Sequence, residues 1–279
     1  NKIFFAVAVV TLITLYLYGT LRINNHQISY SDNELRILHT YFDQKDKWTK
    51  KSIDQVANMG SLEVTTLFPE TSFGFNSNGP KNWIVGYIRN DKKNNFNSIN
   101  YMGYTYDKKI LVPFGEYFPL SNLANYLFPK NKFFKNNLSK GAEYQVFPSN
   151  YTPLICYEVI FPSFVRSSIS NDTNLILNIS NDGWFGNFSG PKQHFTHAQF
   201  RSIELGIPIA RSSNKGISGL IGPMGEIINT INSKKLSYLD VKIPKKLKTT
   251  IYRKYGNLLT YFLIVLFFII GYAIRSKKN

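Results

Sequence analysis

Three ionisable residues of different type, Glu70, Lys108 and Cys156, are the candidates for joint chemistry in this 279-residue chain. Cys156 is the single cysteine and stands where the apolar run Tyr151–Ile155 ends, with Glu158 two residues later. A strand end is rigid and can aim its last side chain into a cleft. Glu70 follows Pro69, which stops the β-branched run Val64–Phe68, and Lys108 falls in the loop after the alternating stretch Asn100–Tyr106. A thiol attacks as thiolate, and a neighbouring cation lowers its pKa. A carboxylate in reach can take the thiol proton and manage the proton of an incoming or leaving nitrogen. A lysine ammonium can stabilise the oxyanion of a tetrahedral intermediate. Acyl transfer through a thioester needs those three functions. A lone cysteine is by default a small buried hydrophobe, so its company carries the argument. Lys109 adjoins Lys108, and spacing alone does not choose between them.

The elements that must position these residues follow from periodicity. Glu34–Leu38, Trp83–Ile88, Leu175–Ile179, Ile207–Arg211 and Ser218–Ile221 read as strands. Asp43–Asn58 carries Trp48, Ile53, Val56 and Ala57 at helical spacing, and Phe195–Leu205 reads as a second helix. Asp91–Asn97 reads as a turn, Leu111–Tyr117 is irregular because of its Pro and Gly, and Gly222–Gly225 is a tight turn opening a hairpin. Strands interspersed with helices predict a layered α/β domain, in which strand ends gather at one edge. His194 and His197 stand at i, i+3, but with no acidic or thiol partner nearby in sequence neither a metal nor another cofactor is expected. Asn181-Asp182-Gly183 reads as a turn, and Trp48 and Trp184 read as core aromatics.

The ends set the broad class. Ile3–Leu21 and Leu258–Ile274 are apolar runs, and at about 1.5 Å per residue either spans most of a hydrocarbon core of roughly 30 Å. The expected organisation is a transmembrane helix over residues 1–23, a linker over 24–34, a catalytic domain over 35–245, a basic juxtamembrane segment over 246–256 and a second transmembrane helix over 257–275. The net charge of +16 and pI near 9.7 suggest an anionic partner. The lysines are scattered and no recognition motif accompanies them, so nucleic acid is not the expected partner. One cysteine allows no internal disulfide. Lys130–Lys140 interleaves Phe133, Phe134 and Leu138 with lysines, and reads equally as a solvated loop or as a flap dipping into lipid. Charge asymmetry alone does not orient the domain across the membrane.

Four segments carry a resemblance: FPET around Glu70, YDKKILVPFGEYFPL around Lys108, ICYEVIFP around Cys156, and the stretch from NISNDGWFGNFSGPKQH to IGPMGEI. They resemble the carbon–nitrogen hydrolase (nitrilase) superfamily and, within it, the apolipoprotein N-acyltransferase family, to which LVPFGEY and SNDGWFG are more specific. The resemblance implies an α-β-β-α sandwich held between membrane spans on the periplasmic side of a bacterial inner membrane. It implies a phospholipid as acyl donor, a Cys156 thioester, and the α-amino group of an apolipoprotein's lipidated N-terminal cysteine as acceptor. Matched by position, Glu70 is the general base, Lys108 (three before Leu111) the oxyanion-side cation and Cys156 the nucleophile. Glu116 and Glu158 match supporting acids, and Tyr157 and Trp184 site-lining aromatics. Two departures stand out. One apolar helix precedes the domain where the family carries several, and His39-Thr40-Tyr41 stands in place of a Gln-Pro-Asn type of sequence. Together with a first residue other than Met, this reads as the catalytic half of a larger or split protein, or as a decayed copy. The rival readings are a membrane-tethered amidase or nitrilase and a non-catalytic anchored fragment that pairs with another subunit.

Overall fold

The computed structural model describes residues 2–77, 79–92, 94–119, 137–186 and 188–276. Residues 130–136 of the basic Phe-bearing segment therefore lie outside the described residues. Strand alternation builds the architecture. In β1 (Tyr30–Thr40), Leu35 and Ile37 point one way and Leu38 the other, each fully buried. A strand buried on both faces needs a layer on each side.

Those layers are two sheets and their helices. One sheet runs β6 (Tyr151–Ile155), β7 (Leu175–Asn181), β8 (Ile209–Asn214), β9 (Ser218–Ile221), β10 (Ile227–Ile231), parallel across its first three strands. The other runs β11 (Ser237–Pro244), β1, β2 (Thr65–Leu67), β3 (Trp83–Asp91), β4 (Asn94–Tyr101), β5 (Tyr104–Asp107). Among the described residues, they join along a seam where His39 and Thr40 pair with Ser213 and Asn214. Leu35, Ile37, Leu67, Ile155, Leu177 and Ile179 belong to the core between the sheets. α2 (Lys50–Met59) seals Leu38, Phe68 and Val85 with its Val56. α3 (Pro162–Ser168) and α4 (Gly190–Leu205) cover Leu154, Ile176 and Ile209 on the opposite face. The result is the expected α-β-β-α sandwich.

Several local expectations shift. The helix expected from Asp43 starts at Lys50, because the Thr49 hydroxyl accepts the Ser52 N–H as an N-cap and residues before it form turns. The alternating Asn100–Tyr106 is a hairpin, turned at Met102 (φ +53°) and Gly103 (φ +86°), the left-handed pair that a tight two-residue turn needs. The expected Asp91–Asn97 turn shrinks, since β4 begins at Asn94. β11, not foreseen, caps the second sheet beside β1.

At the ends, α1 (Lys2–Asn24) contains a stretch, Phe4–Asn24, long and apolar enough to cross a bilayer. After α5 (Ile251–Tyr255), α6 (Leu258–Ser276) is apolar over Leu258–Ala273, shorter than the roughly 20 residues a span needs. Spans were expected over residues 1–23 and 257–275; among the described residues one helix, the first, meets the length criterion. Phe4 and Phe267 touch edge to face at 5.6 Å, bringing the two helices side by side.

Candidate active site

Among the described residues β6 pairs with β7 alone, and this edge position tolerates Pro153. At its end the chain turns abruptly into a 3₁₀ turn, Cys156–Ile160, with Cys156 at φ +50°. A non-glycine residue there stores strain and persists only where its surroundings hold it. Part of that hold is a buried relay. The Cys156 carbonyl lies 3.1 Å from His194 Nε2, and His194 Nδ1 lies 2.8 Å from Asp182 Oδ1. The Arg211 guanidinium donates to both Asp182 oxygens, at 3.0 and 2.9 Å. Burial works against the Asp182 carboxylate, but Arg211 and His194 outweigh it and hold it well below the usual carboxylate range. Two expectations are corrected here. His194 does have an acidic partner, twelve residues upstream, and Asn181-Asp182-Gly183 carries a buried anion rather than a plain surface turn.

Glu70 sits just past β2, 5 % exposed. Its turn lies tight against β3, where a Cβ on Gly86 would come within 2.6 Å of the Pro69 carbonyl oxygen. Glu70 Oε1 accepts from Asn97 Nδ2 at 2.6 Å and lies 3.8 Å from Lys108 Nζ. Glu70 Oε2 is buried with no hydrogen-bond partner among the described residues. Lys108, fully buried just past β5, donates to Glu116 Oε1 at 2.8 Å. Glu116 in turn accepts from Asn97 Nδ2 and from the Val112 N–H. Burial alone would lower the Lys108 pKa, but Glu70, Cys156 and Glu116 together raise it above the ordinary lysine value. The Lys109 side chain instead donates to the Glu143 carbonyl near the surface. Geometry thus separates the two lysines that spacing could not.

The thiol behaves differently from the expectation. Burial first, then Glu70, push Cys156 up to about 12, and Lys108 only partly opposes them. A thiol held that high keeps its proton at neutral pH, so any attack by it would call for a base to take that proton. Among the described residues, the partnerless Glu70 Oε2 is an oxygen with capacity to accept a proton beside the same cavity.

Glu158 is fully buried and holds three backbone N–H groups and a tyrosine hydroxyl. Its Oε1 accepts from Tyr106 Oη (2.9 Å), Lys109 N (2.6 Å) and Ile110 N (3.2 Å), and its Oε2 from Ile155 N (2.7 Å). It ties the loop carrying Lys108 to the strand carrying Cys156. Tyr157 packs edge to face on Phe161. Trp184 is 71 % exposed, and neither it nor Trp48 is the core aromatic that composition suggested. Both border a cavity of about 770 Å³ that Glu70, Lys108, Cys156 and Tyr157 also line. The supporting groups Asn97 and Arg211 escaped the sequence reading, which took Asp182 for part of a turn and His194 for half of a histidine pair. Lys47, which reaches Glu70 from the turn before α2, escaped it as well.

The profile of the family described as carbon-nitrogen hydrolase matches residues 23–252. The chain belongs to the carbon–nitrogen hydrolase family. Among curated relatives it is 30 % identical to an apolipoprotein N-acyltransferase of Rickettsia bellii, over 99 % of this chain and 62 % of that one. It is 36 % identical to an apolipoprotein N-acyltransferase of Wigglesworthia glossinidia brevipalpis, over 70 % of this chain and 42 % of that protein. The chain thus spans about three-fifths, at most, of these relatives' lengths. Among solved structures, an amidase of the nitrilase superfamily from Nesterenkonia aligns with a TM-score of 0.53 at 16 % identity, covering 77 % of this chain and 92 % of that one. A Saccharomyces cerevisiae member of branch 10 of that superfamily gives 0.53 at 14 % identity, covering 77 % and 93 %. These likenesses establish the nitrilase-superfamily fold.

Proposed function

We propose that this carbon–nitrogen hydrolase family member is an apolipoprotein N-acyltransferase working in two half-reactions through a Cys156 thioester. The observation that carries the reading is the convergence on one cavity of Cys156, the Lys108 ammonium and a Glu70 oxygen without a partner among the described residues. The curated relatives' names point the same way. In the first half-reaction Glu70 takes the thiol proton while Sγ attacks the ester carbonyl of a phospholipid. The carbon–sulfur bond forms, negative charge develops on the carbonyl oxygen beside Lys108, and the carbon–oxygen bond then breaks. The proton on Glu70 passes to the departing lysophospholipid oxygen. In the second, the α-amine of a lipidated N-terminal cysteine attacks the thioester and gives a proton to Glu70. The amide bond forms, the carbon–sulfur bond breaks, and Glu70 returns the proton to sulfur. A positioned donor of the Lys108 kind contributes about 2.7–4 kcal/mol to such a transition state.

Glu116 and Glu158 position Lys108 and its loop in this scheme, while Tyr157 and Trp184 border the acyl path. The apolar stretch Phe4–Asn24 supports a membrane anchor, with residues 35–245 as the catalytic domain. The reading places that domain on the periplasmic face of a bacterial inner membrane, between α1 and α6. The test uses vesicles of phospholipid with an isotope-labelled acyl chain, followed by intact-protein mass spectrometry. The wild type should gain one acyl mass and Cys156→Ala none; a label retained on the alanine variant defeats the proposal. Adding a diacylglyceryl-cysteine peptide should discharge the label onto its amine. Release as free fatty acid alone would favour the amidase-type reading instead.

A further inference from the structure

Two buried side-chain oxygens of the site have no donor among the described residues, Glu70 Oε2 and Asn97 Oδ1. Both residues line the cavity, at 5 % and 2 % exposure. Asn97 stands on β4, and its amide Nδ2 donates to Glu70 Oε1 at 2.6 Å and to Glu116 Oε1 at 3.1 Å. Those bonds fix which end of the amide is which, since turning it over would set an oxygen against two carboxylates. Nδ2 therefore accounts for the structural duty of the residue, and Oδ1 is the end left over. Native interiors leave few polar atoms in that condition, and each asks for an explanation. The two free oxygens belong to side chains already bonded to each other, so one small ligand can serve both. An ester cannot, because its reacting centre carries no N–H or O–H. A primary amine can. It has two N–H groups for two acceptors and keeps one lone pair with which to attack.

We propose that Asn97 is an amine-binding residue, whose Oδ1 works with Glu70 Oε2 to hold the two N–H groups of the amine that discharges the thioester. The proposal rests on the acyl-transfer reading of Cys156 and narrows its second substrate to a primary amine. The amine nitrogen forms its bond to the thioester carbon with the free lone pair. The proton it sheds goes to Glu70, the carbon–sulfur bond breaks, and that proton ends on sulfur. Asn97 accepts a hydrogen bond and exchanges no proton. Water also carries two O–H groups, so hydrolysis is the reaction from which the amine must be told apart.

The test loads Cys156 of the full chain, in detergent micelles, from a p-nitrophenyl fatty ester that bypasses the phospholipid. Intact-protein mass spectrometry then follows discharge to a diacylglyceryl-cysteine peptide or to its Nα-methyl analogue, which has one N–H fewer. Wild type should discharge to the primary amine about tenfold faster, the rate equivalent of one hydrogen bond. Asn97→Leu keeps a similar shape but has no acceptor, and there the preference should shrink to within about threefold. Loss of the Nδ2 bonds slows both amines alike, so the ratio isolates Oδ1. Equal discharge to the two amines by wild type, or a preference unchanged in Asn97→Leu, overturns the proposal. So does hydrolysis, read without any amine, that falls in the variant as far as primary aminolysis does, because the oxygens then serve any nucleophile. Should Asn97→Leu fail to fold, Asn97→Ala takes its place in the same comparison. A chain that loads from the nitrophenyl ester but not from phospholipid vesicles sinks the phospholipid reading alone. One that loads from neither ends both.

Discussion

Lys47 and Lys108 are the same residue type at the same depth, and both reach Glu70, yet they behave in opposite ways. Lys108 lies between the carboxylates of Glu70 and Glu116, which overcome burial and hold it charged above the ordinary lysine value. Lys47 bonds only to a carbonyl and a hydroxyl, and burial wins, bringing it to about 8. Depth does not decide the charge of a buried amine; the formal charge of its acceptors does. One lysine is a permanent fixture of the site, the other a charge that solution conditions can remove.

The largest break in that comparison is Lys108→Met, which leaves Glu70 and Glu116 buried without their cation. Removing one partner of a buried pair costs about 3–5 kcal/mol of stability, and acyl-enzyme formation should drop by about 10²–10³. A thermal melt and the labelled-phospholipid assay read the two effects. A smaller change is Glu116→Gln, which keeps the shape but removes one of the anions that hold Lys108. Loss of one hydrogen bond to a charged group costs about 1.5–3 kcal/mol, with acyl transfer weakened and the Lys108 midpoint lowered by NMR. The smallest effect is in how stability varies with pH. Lys47 is depressed from 10.5 to about 8, so between those values the unfolded chain binds a proton that the folded chain lacks, and stability rises with pH. Lys108, raised above 10.5, contributes stability that is complete below that value and is lost as pH climbs toward its folded pKa. Cys156, raised from 9.0 to about 12, loses stability with rising pH in an overlapping window. The difference between wild type and Lys47→Met therefore isolates the lysine: melting temperatures compared at pH near 8 and near 10 should show the variant without the Lys47-dependent gain.

Much of the fold could be read from alternation. The runs around Leu35, Leu67, Ile84, Ile155 and Ile179 are strands because each side must bury something, and period two says so directly. The three candidate groups were legible because each stands just beyond such a run. Lys47 was not. Its segment, FDQKDKW, has helical spacing and alternates charge, which describes a solvated helix face; only the Thr49 cap, which starts α2 later, leaves Lys47 in a turn facing Glu70. Asp182 and His194 were misread for a related reason. Their partner Arg211 lies 29 and 17 residues farther on, and nothing local signals that β8 will carry an arginine into the interior. Proximity created by sheet pairing leaves no trace in short windows of sequence.

The seam at His39–Thr40 and Ser213–Asn214 has a consequence for biogenesis. Glu70 and Lys108 ride on one sheet and Cys156 on the other, and the strands that stitch the two together come from distant parts of the chain. A nascent polypeptide that has completed only its first half has a carboxylate and an amine but no sulfur beside them. Closing that seam is what brings the sulfur to the cavity that the carboxylate and the amine also line.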